Sequence, residues 1–273
     1  MNYKIIIIIF LTVFFSNKLL LANEKIDDYK SSPEGKISNI GNAKYNIAKS
    51  YMAVTADPRA TISAKRILEA GGTAMDAAIS AQMILNLVEP QSSGIGGGAF
   101  ILYYDAKTKN IYAWDGREKA PINFSESIFL NSNGKKKGFI EAVSGGLAVG
   151  VPSLVPMLEK AHEVHGNMPW NTLFDDAIKL STEGFIVGKR LAQLSSRAPH
   201  LKNQETAKEY FSIDNGGLRE GDLKKNLEFA ESLKLIRDNG SKAMLHGKLA
   251  VNILSTVIEN TYTMPEPDWA PNC

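Results

Sequence analysis

The sequence predicts a layered α/β fold, and the order of its strand-like and helix-like segments is the main evidence. A short apolar run at residues 51–56 is typical of a strand, and helical spacing of apolar residues follows over residues 57–71 and 74–88. Two more strand-like runs come next, and most of the remaining chain is amphipathic and helical. A strand, helices, a hairpin and further helices fit stacked layers better than a regular strand–helix alternation.

The first helix is predicted from signals at both of its ends. Asp57 supplies an N-cap and Pro58 suits the first helical position, where a missing N–H costs nothing. Gly71 and Gly72 follow the apolar positions and can adopt the positive φ that ends a helix. We therefore expect a helix from Pro58 to just before the glycine pair.

A second start signal follows, in which Thr73 and Asp76 have the spacing of a capping box. The segment from about residue 74 to 88 is apolar or small on nearly every face. A helix with this composition must be buried. Its many alanines predict close packing against a sheet.

Residues 100–104 and 111–114 are strand-like, and the polar turn between them predicts a hairpin. A lysine-rich loop and a short apolar run bracketed by glycines come next. The amphipathic pattern then predicts helices near residues 153–165, 170–183, 222–239 and 249–259.

Composition excludes several classes of function. The chain has 273 residues, of which 44% are hydrophobic and 22% charged, and its net charge of +2 gives no reason to expect a nucleic-acid or anionic-membrane partner. The single cysteine, Cys273, forms no internal disulfide, and its neighbours would not activate its thiol. No cofactor is indicated.

The N-terminus has the pattern of an export signal. Lys4 precedes an apolar run of about a dozen residues, and Ala22 stands before a polar segment. We expect a signal peptide over residues 1–22 and a flexible leader over 23–48, giving a periplasmic or secreted protein that no longer contacts the membrane. An uncleaved anchor is the alternative, although Lys18 interrupts the apolar run short of the ~20 residues that span a bilayer.

The glycine-rich segment at residues 94–99 literally matches a dinucleotide-binding pattern, but its context does not. That pattern requires a strand before the glycines and a helix after them, so that the helix N-terminus holds the pyrophosphate. Here the glycines follow a helix and enter a strand. The other interpretation is a tight helix-to-strand turn with close backbone approach.

Arg117 is the candidate binding residue. It follows the second hairpin strand, where a guanidinium can hold a carboxylate through two parallel hydrogen bonds. The alternative is an ion pair with Asp115 or Glu118, its near neighbours in sequence.

His162 and His165 could share a helical face, but no third ligand has metal-site spacing, and we expect both to face solvent. His200 and His246 are isolated, and no catalytic triad is recognisable.

Several collinear blocks between about residues 51 and 259 resemble the gamma-glutamyltransferase family. The blocks are Ala53-Val54-Thr55-Ala56-Asp57-Pro58, Gly71-Gly72-Thr73-Ala74-Met75-Asp76-Ala77-Ala78, residues 89–100, Tyr104-Asp105-Ala106, Asp115-Gly116-Arg117-Glu118-Lys119-Ala120-Pro121, Gly145-Gly146-Leu147-Ala148-Val149-Gly150-Val151-Pro152, residues 166–170 and Glu183-Gly184-Phe185. The resemblance assigns residues 49–259 to the large-subunit region of that family.

The resemblance implies a fold, an activity and a role for one residue. Members of the family are N-terminal-nucleophile hydrolases with an αββα sandwich, so this chain would form the large-subunit half. A threonine at the N-terminus of the small subunit attacks the gamma-glutamyl carbonyl of glutathione, and the acyl group passes to water or an amino acid. The arginine of the Asp-Gly-Arg-Glu block binds the substrate's α-carboxylate, which gives Arg117 that role here.

The last residues, 260–273, do not resemble the family's pattern and are expected to be an unmatched tail. The nucleophile would then lie outside this chain, which would be inactive alone and require a small subunit as partner. An exported, non-catalytic scaffold that keeps a glutamate-binding arginine is one alternative, and an acylase of the same family is another. Uncovered sheet faces would make the isolated chain poorly soluble.

Overall fold

A computed structural model describes residues 47–143, 145–198, 201, 205–211 and 217–259. The predicted signal peptide, all but the last residues of the leader, the tail from residue 260, Cys273 and His200 lie outside these ranges.

The described residues form ten α-helices, two pairs of strands and three short 3-10 helices. The strands are β1 (Ala99–Asp105), β2 (Asn110–Gly116), β3 (Phe185–Ile186) and β4 (Leu223–Lys224), and the 3-10 segments are Glu126–Phe129, Gly146–Ala148 and Trp170–Phe174. The helices are α1 (Pro58–Glu69), α2 (Ala74–Val88), α3 (Phe139–Val143), α4 (Leu154–His165), α5 (Asp175–Glu183), α6 (Lys189–Ser196), α7 (Glu205–Phe211), α8 (Leu227–Asn239), α9 (Lys242–Leu245) and α10 (Gly247–Glu259).

Helix α1 begins and ends at the predicted residues. The Asp57 side chain accepts a hydrogen bond from the backbone N–H of Arg59 at 2.9 Å, and Pro58 is the first helical residue. Burial raises the pKa of Asp57, but the side-chain and backbone hydrogen bonds from Arg59 and its positive charge outweigh that effect and leave the pKa below its ordinary value. At the other end, Gly71 has a φ of +87°, a conformation that glycine adopts without strain.

Helix α2 is the centre of the core, as its composition predicts. Eleven of its residues are buried, and the capping box between Thr73 and Asp76 is complete. The expectation that it packs against a sheet is wrong for the described residues, because its main neighbours are α1, α4, α5 and the Trp170–Phe174 segment. The small side chains instead let helix backbones approach one another.

The predicted hairpin is present and slightly longer than expected. β1 and β2 pair antiparallel, with Ile101 opposite Trp114 and Leu102 opposite Ala113. One face, which includes Ile101, Tyr103 and Trp114, packs against the core. The other face is apolar and exposed, and its side chains are Phe100, Leu102, Tyr104 and Ile111.

Other predicted boundaries differ from the observed ones. Residues 51–56 form no strand, because no described segment pairs with their backbone. The exposure of residues 52–56 nevertheless alternates along the chain, as it does in an extended segment. The helix expected at 170–183 is a 3-10 turn followed by α5. The helix expected at 222–239 begins only at Leu227, and the Asn226 side chain caps it by accepting a hydrogen bond from the N–H of Phe229. Helices α3, α6, α7 and α9 and strands β3 and β4 were not predicted.

Candidate substrate-binding site

Arg117 lies immediately after β2, where sequence analysis placed it. The Asp115 side chain accepts a hydrogen bond from the backbone N–H of Arg117 at 2.9 Å and so shapes the turn out of the strand. The Arg117 side chain is 68% exposed, and its Nη1 lies 3.0 Å from Glu118 Oε2. The ion pair considered as the alternative therefore forms, with Glu118 and not through the Asp115 side chain.

The Arg117 side chain lines an open cleft of about 460 Å³. This volume lies within the range of roughly 300–1,000 Å³ that small-molecule sites occupy. The cleft is bounded by Gly96 on one side and by two chain segments, residues 117–121 and 147–150, which run side by side. A backbone hydrogen bond from Val151 N–H to the Lys119 carbonyl, at 2.9 Å, holds these two segments together.

The Glu118 carboxylate points inward, over the glycines. Its side chain is mostly buried, and a Cβ on Gly98 would lie 2.8 Å from Glu118 Oε2, while a Cβ on Gly150 would lie 2.8 Å from Glu118 Cβ. Although Oε2 is in ionic contact with Arg117, it receives no hydrogen bond of good geometry from the described residues. The absence of a side chain at Gly98 and Gly150 therefore leaves room for the Glu118 carboxylate beside Arg117.

The glycine-rich turn is anchored to the start of helix α4. The Gly97 carbonyl accepts hydrogen bonds from the N–H groups of Ser153 and Leu154, at 3.1 and 2.9 Å. The Ser153 hydroxyl donates to the Gly116 carbonyl at 2.7 Å. These bonds join the turn, the end of β2 and α4, and they support the interpretation of the glycines as a tight turn with close backbone approach.

The other end of the turn is attached to helix α6 and to the last turns of α2. Arg190 on α6 contacts the mostly buried Glu89 carboxylate and donates to the Ser92 hydroxyl at 3.2 Å. The Ser93 hydroxyl donates to the side-chain oxygen of Asn86, which also accepts from Gln82 at 2.7 Å. The turn beside Arg117 is thus fixed from both sides.

The expectation that His162 faces solvent is wrong. Its Nε2–H donates to the Met168 carbonyl at 2.9 Å and lies 3.3 Å from Asp76 Oδ1, and its side chain is only 15% exposed. The same face of α4 turns toward α2 and toward the residues that follow Gly166, where α4 ends. Tertiary packing therefore buries a residue that the helical pattern alone assigned to the solvated side.

His165 is also packed against neighbours and not exposed to solvent as expected. Its ring stacks on Tyr103 at a centroid distance of 4.2 Å and meets Tyr112 and Trp114 edge-on at 4.7 and 5.7 Å. It joins α4 to the inner face of the hairpin. His162 and His165 therefore connect α4 to separate parts of the chain.

Within the part of the chain that the structure describes, no three His, Cys, Asp or Glu side chains are grouped so as to hold a metal ion. The same residues contain no helix with the length and hydrophobicity needed to cross a bilayer.

The family profile for gamma-glutamyltranspeptidase matches residues 60–271, which is more than three quarters of the chain. The chain belongs to this family. The match extends past residue 259, into the segment that we expected to be an unmatched tail.

Relatives from several bacteria support the assignment. The chain is 38% identical over 223 residues to a glutathione hydrolase proenzyme of Bacillus subtilis strain 168, and 32% identical over 225 residues to one of Escherichia coli K12. Each alignment covers 82% of this chain and 38% of the relative. The chain therefore spans well under half the length of these proenzymes.

Solved structures confirm the fold class. The gamma-glutamyltranspeptidase of Helicobacter pylori superposes with a TM-score of 0.78 at 29% identity, covering 84% of this chain and 66% of that one. A cephalosporin acylase from Bacillus halodurans has a TM-score of 0.69 at 23% identity and shares the fold alone. The layered α/β architecture of the N-terminal-nucleophile hydrolases, predicted from the resemblance, is confirmed.

The position of Arg117 directly after a strand was predicted, but most of the residues around it were not. Lys119, Phe124 and Phe129 line the same cleft, although they lie up to twelve residues from Arg117 in sequence. The adjacent Glu118 was considered as a partner, but its inward direction depends on Gly98 and Gly150. Among these residues, only the glycines stood out in the sequence. The packing shows why glycine is needed there, since a Cβ at Gly98 or Gly150 would meet the Glu118 side chain.

Proposed function

We propose that this chain is the large-subunit region of a gamma-glutamyltransferase, or glutathione hydrolase, that transfers the gamma-glutamyl group of glutathione to water or an amino acid. Family membership supports the reaction class, and the observation that carries the site is Arg117 at the edge of an open cleft. The attacking threonine belongs to a small subunit outside this chain, and the chain alone is inactive.

Arg117 binds the α-carboxylate of the glutamyl donor. A guanidinium carries five N–H donors in a planar fork, so its contact with one Glu118 oxygen leaves donors for a second carboxylate. Each charge-assisted hydrogen bond of this kind contributes about 1.5–3 kcal/mol. The ion pair with Glu118 keeps the two side chains adjacent at the edge of the cleft.

The outer face of the β1–β2 hairpin supports the need for a second subunit. Four apolar residues on this face are between 59% and 79% exposed, namely Phe100, Leu102, Tyr104 and Ile111. No described element covers them. Apolar sheet faces pack on a second sheet about 10 Å away in layered folds. The small subunit supplies that second sheet.

An NMR titration of the chain with L-glutamate at millimolar concentrations tests the role of Arg117. We expect wild type to show shifts at the amides around Gly96 and Arg117, and Arg117→Ala to weaken binding about tenfold or more. Arg219→Ala is the matched control, because its side chain is similarly exposed, at 66%, and is also ion-paired with a nearby acid, Asp222. Equal affinity in Arg117→Ala and wild type would remove Arg117 from the site.

A second measurement tests where the nucleophile lies. The purified 273-residue chain should release no aniline from a gamma-glutamyl anilide. Turnover by the chain alone, abolished by a substitution within it, would place the nucleophile inside this chain and contradict the proposal.

A further inference from the structure

Another cavity is lined by α7 and by the chain from β4 to the first turn of α8, and it shares no lining residue with the cleft beside Arg117. Its volume is about 440 Å³, which lies within the range of roughly 300–1,000 Å³ that small-molecule sites occupy. Every residue in its lining has a polar or charged side chain. The cavity therefore suits a small polar ligand.

The positive and negative charges in this lining balance. Lys224 and Lys225 carry two positive charges, and Glu209 and Glu228 carry two negative ones. Burial raises the pKa of Tyr210, so its hydroxyl is neutral at neutral pH and adds no charge. In the part of the chain that the structure describes, no ion pair joins either lysine to either glutamate. Both kinds of charge are therefore available to a ligand.

Strand β4 and the Tyr210 ring hold Lys224 in place. Lys224 is opposite Phe185 in the β3–β4 pair, and Phe185 is only 2% exposed, so the backbone at Lys224 is anchored to a buried residue. The Lys224 Nζ lies 4.1 Å from the centre of the Tyr210 ring, which is within the range of cation–π contacts. The ammonium group therefore has a defined position at the cavity.

The surroundings of Lys224 favour an incoming carboxylate. Partial burial lowers the pKa of Lys224, although the negative charges of Glu228 and Glu209 oppose that effect. Both glutamates are thus near enough to act on the ammonium group without forming an ion pair with it. A partly buried ammonium group has lost some of its water, and a carboxylate on a ligand replaces that water with charge-assisted hydrogen bonds.

We propose that this cavity binds a free α-amino acid with an uncharged side chain. The carboxylate of the ligand contacts Lys224 and Lys225, and its ammonium group contacts Glu209 and Glu228. A zwitterion matches the balanced charges of the lining, whereas an anion or a cation alone would leave one pair of charges without a partner. The site is distinct from the cleft of the proposed function, and neither proposal depends on the other.

NMR titrations of the full chain with L-alanine, propionate and ethylamine test the proposal. Propionate lacks the ammonium group and ethylamine lacks the carboxylate, so each compound removes one half of the zwitterion. We expect L-alanine to shift the amide signals of residues 205–211 and 223–228. It should bind about tenfold more tightly than either of the other compounds, because each of them loses one set of charge-assisted hydrogen bonds.

Two substitutions separate the contributions of the lining. Lys224→Met and, independently, Glu228→Gln should each weaken the binding of L-alanine about tenfold. Glu228→Gln keeps the size of an exposed side chain, so it changes the charge with little effect on folding. Lys208→Met is the matched control, because Lys208 also lies on α7 but is not part of the lining and is ion-paired with Glu205.

Three results would overturn the proposal. They are propionate or ethylamine binding as tightly as L-alanine, no shifts at residues 205–211 and 223–228 with roughly 50 mM L-alanine, and an equal loss of affinity in Lys208→Met and Lys224→Met. Shifts around Gly96 and Arg117 would report the cleft and not this cavity, so the two proposals can fail separately.

Discussion

The Asp76 carboxylate connects two parts of the chain that are about 90 residues apart. It is fully buried and accepts hydrogen bonds from the Thr73 N–H at 2.7 Å and from the N–H groups of Asn167 and Met168 at 3.0 and 3.2 Å. His162 lies beside it. One side chain therefore caps α2 and holds the loop that follows α4.

Asp76→Ala should lower the free energy of unfolding by about 3 kcal/mol or more, because several buried N–H groups lose their acceptor at once. Urea denaturation followed by circular dichroism measures this change. The control is Asp105→Ala, since Asp105 also accepts from a backbone N–H, that of Lys107 at 2.9 Å, but in an exposed turn. Its expected cost is under about 1 kcal/mol. Similar losses in the two variants would contradict the connecting role of Asp76.

At the scale of elements, the position of the β1–β2 hairpin depends on glycines where two backbones meet. A Cβ on Gly98 would lie 2.2 Å from the Gly116 carbonyl oxygen, and a Cβ on Gly116 would lie 2.6 Å from Met157 Sδ. The hairpin therefore sits closer to α4 and to the glycine-rich turn than any larger residue allows. Arg117 follows directly, so these contacts also set where its side chain emerges.

Gly98→Ala should destabilise the chain by about 2 kcal/mol, because the added methyl group meets backbone that cannot move aside easily. It should also weaken glutamate binding at Arg117. Gly94→Ala serves as the comparison, since a Cβ there has no described atom within 4 Å and its stability should change by less than about 0.5 kcal/mol. Thermal unfolding measures both changes. Equal melting temperatures for Gly98→Ala and Gly94→Ala would contradict the close backbone approach at Gly98.

At the scale of the whole molecule, the described residues bury a helical core but leave the outer face of the hairpin exposed. Contiguous apolar patches are rare on monomeric proteins and usually mark an interface. The face that we assign to the small subunit is therefore also a liability for the chain on its own. This is the physical basis for expecting poor solubility.

We predict that the isolated chain self-associates through this face and that Leu102→Glu shifts it toward the monomer. A buried carboxylate without a partner opposes burial of the patch by several kcal/mol. Light scattering over a range of protein concentrations measures the change. Val164→Glu, at another exposed apolar position on α4, should leave association unaltered. A wild-type chain that stays monomeric at all concentrations would show the prediction to be wrong.

Local sequence signals determined the features that depend on neighbouring residues. The caps at Asp57 and Thr73, the buried character of α2, the hairpin and the position of Arg117 at a strand end all follow from spacing along the chain. Backbone hydrogen bonding and side-chain periodicity act over a few residues, so these features could be inferred without a structure. Residues 51–56 show where local signals fail. The segment has a strand-like sequence, but a strand also requires a second segment to pair with, and no described segment does so.

Only the tertiary structure decided which distant groups meet. It turned His162 toward Asp76 and His165 toward the hairpin aromatics, and it placed Phe124 and Val149 in the same cleft as Arg117. It also aimed Glu118 inward through contacts with Gly98 and Gly150. These arrangements arise from packing between elements far apart in sequence, where spacing carries no information about which faces come together.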